Sequence, residues 1–156
     1  MLCQTPNIHF LVQGSSEGFS QLNSFDGALL AAGIGNTNLV KMSSIVPPRS
    51  LQVEPVQLPY GSLVPVAYAA ISSMLPGEKI SAAVAAAFPE DESKPGLIME
   101  YSSRGHREEV ETIVRKMAEE GLAMRGEQVQ KIASVSVQHT VEHIGTAFAA
   151  VVLWYR

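Results

Sequence analysis

Three long runs of small apolar residues limit the folds open to this chain more than any other feature. They occupy residues 63–72, 80–88 and 146–154, and the first two are rich in alanine. Their apolar character predicts buried strands, although alanine also favours helix, so the helical alternative stays open for the first two. Such small side chains imply that layers of the protein, or neighbouring subunits, approach each other closely.

The rest of the chain divides into two helices and several shorter strands. Residues 25–32 predict a helix with Ser24 as its N-cap and Gly33 past its end. Residues 106–124 carry apolar side chains at helical spacing and predict the second helix. Strands are predicted at 8–12, 38–42, 97–101 and 132–141, a loop at 14–18 and an irregular crossing at 47–59. This order is typical of an α/β sandwich with largely antiparallel sheets.

Composition restricts the class of protein. The 156 residues suffice for one domain, and a net charge of -4 leaves no excess of basic residues for nucleic acid. The longest apolar stretch, 147–155, is too short to span a membrane. Without an apolar leader at the start, and with Cys3 as the one cysteine, a cytoplasmic location is expected. His139 and His143 are four residues apart, a spacing that could hold zinc on a helix, but the alternation over 135–141 predicts a strand, where that spacing gives a weaker metal site.

The most unusual segment spans residues 33–48, where glycines and asparagines precede a strand that ends in Ser43-Ser44. If the peptide bond before Ser44 is strained, the Ser44 hydroxyl can attack the Ser43 carbonyl, with Asn38 as a candidate donor to the oxyanion. Elimination from the resulting ester would leave dehydroalanine at position 44, which hydrolyses to a pyruvoyl group and ammonia. On these residues alone, an ordinary strand that ends in a turn is the more usual explanation of the serine pair.

Short segments along nearly the whole chain add a second signal. They are Ser15-Ser16-Glu17-Gly18, residues 23–30, the Ser43-Ser44 segment between Gly-Asn-Thr-Asn-Leu and Ile-Val-Pro-Pro, and residues 63–65, 76–78, 96–101, 124–126 and 147–150. In this order they resemble the pyruvoyl-dependent arginine decarboxylases of archaea and some bacteria. The departures, such as Lys41 and Met42 before the serines, remove no catalytic group.

The resemblance implies a four-layer αββα sandwich that assembles as a trimer or a pair of trimers, with active sites between subunits. It implies self-cleavage of the single domain, 1–156, into a β chain of residues 1–43 and an α chain of residues 44–156. The pyruvoyl group at position 44 would form a Schiff base with L-arginine and yield agmatine, for polyamine synthesis, and carbon dioxide. Neither pyridoxal phosphate nor a metal is expected to take part.

The same resemblance assigns roles to particular residues. Glu100 matches the acid that returns a proton to the α-carbon, and the apolar run before it would partly bury it and raise its pKa. A solvated carboxylate at the end of a strand is the alternative interpretation. Asp26 matches the partner of the substrate guanidinium, or serves only the dipole of its helix. Ser15, Gly35 and Thr37 are expected to bind substrate as well, although Ser15 lies in what reads equally as an ordinary polar turn.

Two rival functions remain open. The same chemistry can decarboxylate another amino acid such as histidine. Asp26 disfavours this alternative, because an imidazole does not need the paired hydrogen bonds that a carboxylate makes with a guanidinium. The chain can also be an unprocessed, non-catalytic trimeric paralogue. The presence of Ser43, Ser44, Asn38 and Glu100 argues against that alternative.

Overall fold

The computed structural model describes residues 4–156, so Cys3 lies outside the described residues. Long strands dominate, and two helices interrupt them. The elements in chain order are β1 (Ile8–Glu17), α1 (Gln21–Ala31), β2 (Asn38–Lys41), β3 (Ile45–Val46), β4 (Leu51–Gln52), β5 (Leu63–Ser73), β6 (Lys79–Pro89), β7 (Gly96–Arg104), α2 (Arg107–Met124), β8 (Val129–Thr140) and β9 (Gly145–Trp154). All three apolar runs are strands, which settles the helical alternative for the two that are rich in alanine.

The strands form two sheets that pack face to face. The first sheet has the order β2-β5-β9-β1-β4 and the second has the order β3-β7-β6-β8. Most pairs are antiparallel, while β1–β4 and β2–β5 are parallel. Because β2 and β3 both lie at edges, the chain between them passes from the first sheet to the second at the rim of the sandwich.

Side-chain alternation along the strands builds three buried layers. Helix α1 covers the outer face of the first sheet, and α2 covers the outer face of the second, so the predicted αββα order is confirmed. Between the sheets, alanine and valine side chains of β6 and β9 pack together with no bulky aromatic ring among their buried members, as the small-residue runs predicted. Members of this central layer include Ala82, Val84, Ala86, Ala147, Ala149 and Val151.

The predicted loop at 14–18 is wrong, because β1 continues through Glu17 and pairs with β9 to its end. Gly14 permits this: a Cβ there would lie 2.4 Å from the carbonyl oxygen of Ala28 on α1. The glycine therefore serves a close approach of helix to strand rather than a turn.

The predicted N-cap of α1 is also wrong. The helix begins at Gln21 with Ser20 as its N-cap, whose Oγ accepts a hydrogen bond from the backbone N–H of Asn23 at 3.1 Å. Ser24 is instead fully buried, and its hydroxyl lies 2.7 Å from that of Thr146 on β9.

Other differences from the predicted boundaries are small. The crossing at 47–59 contains the short strand β4, β7 runs on to Arg104, and β8 starts three residues earlier than predicted. His106 is exposed at the N-cap of α2. Across residues 4–156, no helix combines the length and apolar character needed to cross a membrane.

Candidate active site

Ser43 and Ser44 lie where the chain crosses from β2 to β3. The carbonyl oxygen of Ser44 accepts a hydrogen bond from the backbone N–H of Ile98 on β7 at 2.8 Å. Ser44 has a φ of +155°, and only one other non-glycine residue in the described chain, Arg49, has a positive φ. Since a side chain with a Cβ disfavours such angles, at an ordinary cost of about 1 to 3 kcal/mol, the backbone is strained at the serine pair.

Glu100 lies beside this strained backbone. It follows Ile98 by two residues on β7, so both side chains project from the same face of the strand, toward the space between the sheets. Its side chain is 26% exposed, and its Oε2 is buried with no hydrogen-bond partner. Burial raises the pKa of Glu100, and the ammonium of Lys41 opposes that shift only in part. The structure therefore places a partly buried carboxyl group with a raised pKa at the position where the sequence predicted an acid.

The sequence assigned no role at this site to Lys41. Its Nζ lies 3.8 Å from Glu100 Oε1 and 4.7 Å from the centre of the Tyr68 ring on β5. A cation over an aromatic face is favourable and holds the ammonium in place. A basic residue two positions before the serine pair was the available signal.

Asn38 and Asp26 do not meet the serine pair within one chain. Asn38 begins β2, about 10 Å in strand length before Lys41. Its amide donates to the carbonyl oxygen of Gly61 at 3.1 Å. Asp26 lies exposed on α1, and no hydrogen bond or ion pair of its side chain occurs within residues 4–156.

The remaining predicted substrate contacts are distributed over two elements. Ser15 lies within β1 opposite Ala147, and Gly35 and Thr37 lie in the turn after α1. The Thr37 hydroxyl donates to the carbonyl oxygen of Ile34 at 2.7 Å, so it stabilises this turn. None of the three is hydrogen-bonded to Glu100 in the described chain.

Glu17, in the first of the segments that carry the family resemblance, anchors the turn between β8 and β9. Its Oε1 accepts hydrogen bonds from the backbone N–H groups of Glu142, His143 and Ile144, at 3.2, 2.6 and 3.2 Å. Its Oε2 lies 2.5 Å from Nε2 of His139. Burial acts to raise the pKa of Glu17, but these hydrogen bonds outweigh it and the net shift is downward. The contact with His139 joins the two sheets.

A cavity of about 400 Å³ has Pro47 and Gly96 in its lining but neither serine of the pair. His9 and Phe88 line it with stacked rings 5.2 Å apart, together with Arg49 and Lys131. Burial, with a smaller effect of Lys131, lowers the pKa of His9 to about 4. Within residues 4–156, no group of three or more acidic, histidine or cysteine side chains is arranged to hold a metal ion.

Comparisons with known proteins agree on one family. The family model described as pyruvoyl-dependent arginine decarboxylase matches residues 8–156. A protein of that name from Methanocaldococcus jannaschii is 54% identical over 151 residues, which cover 97% of this chain and 92% of the relative. Proteins of the same name from Methanococcus aeolicus and Pyrococcus horikoshii are 50% and 42% identical, over 98% and 97% of this chain and 93% and 96% of theirs.

Proposed function

Because the chain belongs to the pyruvoyl-dependent arginine decarboxylase family, we propose that it makes its own pyruvoyl group by cutting the bond between Ser43 and Ser44. The enzyme converts arginine to agmatine and carbon dioxide. The observation that carries the proposed cleavage site is the positive φ of Ser44, one strand away from a buried carboxyl group without a partner for its Oε2. Strain at this backbone favours a reaction that releases it.

The proposed cleavage uses only groups of this chain and water. The Ser44 hydroxyl attacks the Ser43 carbonyl, loses its proton, and displaces the Ser44 nitrogen to give an ester. Elimination then removes the Cα proton of Ser44 and breaks the bond between its Oγ and Cβ, which leaves a carboxylate on Ser43 and dehydroalanine at position 44. Water then replaces the nitrogen as ammonia, and the fragments are residues 1–43 and 44–156.

The surroundings of Ser44 fit a pyruvoyl group at this position. Glu100 is half-buried beside it, and its raised pKa favours the neutral acid that can deliver a proton. The pyruvoyl group supplies a ketone that takes up the substrate amine and withdraws electrons as carbon dioxide leaves. Glu100 holds the proton that the α-carbon then receives. Its Oε2 is buried and has no hydrogen-bond partner, so that oxygen is shielded from bulk water.

The complete site requires more than one subunit in this proposal, as a trimer or a pair of trimers. Asp26 and Asn38 are exposed and distant from the serine pair of their own chain, so a neighbouring subunit can receive them. Large apolar side chains are exposed near them: Phe19, Leu22, Leu30, Val40, Tyr60 and Leu63. Exposed apolar surface of this extent supports an interface between copies. Asp26 would then pair with the guanidinium of arginine.

The proposed function is tested by product analysis with arginine and histidine as alternative substrates. Wild type should release carbon dioxide and agmatine from arginine, and the Ser44→Ala variant should remain one uncut chain without activity. Preferential release of carbon dioxide from histidine would show that histidine, not arginine, is the substrate. A fully active Ser44→Ala variant would end the proposal.

A cytoplasmic location belongs to this proposal as well. It is supported by a chain whose one cysteine cannot form an internal disulfide.

A further inference from the structure

Lys41 connects the segment that ends at the cleavage site to the acid on β7. Its ammonium is 3.8 Å from Glu100 Oε1 and rests over the ring of Tyr68. Lys41 precedes the cut and Glu100 follows it. Cleavage between Ser43 and Ser44 therefore turns this ion pair into a contact between two separate fragments.

The proposed cleavage also creates a new charge close to Lys41. It leaves a carboxylate at the end of Ser43, and a terminal carboxyl group, with an ordinary pKa of about 3.3 to 3.7, is ionised near neutral pH. The Cα atoms of residues two apart in extended chain, such as Lys41 and Ser43, are about 7 Å from each other. The new carboxylate is thus within reach of the flexible lysine side chain, which is 55% exposed.

The elements packed around Glu100 supply no second cation. On β6 the residue opposite it is Val84, β3 contributes only Ile45 and Val46, and β5 brings the phenol of Tyr68 beneath Lys41. Lys41 is the one charged group of the described chain that acts on Glu100. What Lys41 binds therefore decides how strongly the ionised form of Glu100 is favoured.

We propose that Lys41 is a positioning residue that leaves Glu100 for the new Ser43 carboxylate when the chain is cut, so that the acid is freed for proton transfer only in the processed protein. This inference rests on the proposed self-cleavage. Before the cut, Lys41 offsets part of the rise in the pKa of Glu100 that burial causes. After the cut, burial acts without that opposition and favours the neutral acid, the form that the decarboxylation needs.

The experiment is a titration of Glu100 by carbon-13 NMR of labelled glutamate carboxyl groups. It compares processed wild type with uncut Ser44→Ala protein, and the Glu100→Gln variant of each identifies the signal. The midpoint should be higher in the processed protein by about one pH unit, a tenfold change in proton affinity. In the uncut background, Lys41→Met should raise the midpoint to the processed value and Lys41→Arg should not. Lys79→Met, at an exposed lysine on β6, is the matched control and should change nothing.

Equal midpoints in cut and uncut protein, or a lower midpoint after cleavage, would overturn the inference, as would a Lys41→Met variant without effect. The masses of the same samples report cleavage independently. A cut wild type with an unchanged Glu100 midpoint would refute the role of Lys41 and leave the proposed function standing. A wild type that stays uncut would contradict both.

Discussion

Replacement of Glu100 by glutamine should separate the making of the pyruvoyl group from its use. The amide keeps the shape of the side chain but has no proton to give. Cleavage at Ser44 should continue, because it depends on a serine hydroxyl and on oxyanion donors. Release of agmatine should fall about 100-fold to 10,000-fold, which is about 2.7 to 5.4 kcal/mol in barrier height. Since Glu100 Oε2 is buried, bulk water should not readily take over the proton transfer.

The assay measures agmatine release at saturating arginine, with cleavage read from the mass of the same sample. Glu78→Gln is the matched control, because Glu78 is also partly buried and paired with a cation, Arg104, at 3.3 Å. That control should cut and turn over normally. Near wild-type turnover in processed Glu100→Gln protein would refute the role of Glu100 as proton donor. Water or Tyr101 would then be the source of the proton.

Three further replacements test other parts of the account. Asn38→Ala should fold and assemble but cut about 100-fold to 1,000-fold more slowly on a denaturing gel, and a normal rate would point to a backbone amide of Gly35 or Asn36 instead. Asp26→Asn should cut normally but lose about tenfold or more in kcat/KM for arginine, because a charge-assisted hydrogen bond is lost; unchanged kinetics would free Asp26 of that role. Glu17→Ala should lower the free energy of unfolding in urea by about 1 to 3 kcal/mol. Because the pKa of Glu17 is lowered in the folded state, its contribution is present above the unfolded pKa and is lost as pH falls through the folded value. A difference between wild type and variant that persists in acid would contradict this reading.

Much of the fold could be predicted because side-chain patterning within each element decides it. The apolar runs predicted the central strands, and the helical spacing of apolar residues over 106–124 predicted α2. The errors arose where distant contacts decided the outcome. Ser20 and Ser24 are both acceptable caps, and only the buried contact of Ser24 with Thr146 distinguishes them. Gly14 belongs to a segment whose composition is typical of a turn, but this glycine allows α1 to pack closely on β1.

The candidate site was predictable in part. The Ser43-Ser44 pair and Glu100 could be named from sequence, and the structure joins Ser44, just before β3, by a hydrogen bond to β7, the strand that carries Glu100. The contact of Lys41 with Glu100 joins residues 59 positions apart in sequence, so no local pattern reveals it. The roles of Asp26 and Asn38 stay predictions, because a single chain leaves both exposed and away from the serine pair.

Self-cleavage between Ser43 and Ser44 is the central claim, and the intact mass of the purified protein under denaturing conditions tests it most directly. The account predicts two chains, residues 1–43 with a free carboxylate and residues 44–156 with a blocked amino terminus. The larger chain should be lighter than its encoded sequence by the mass of one ammonia. A single chain with the full encoded mass, from a preparation that makes agmatine, would contradict the account.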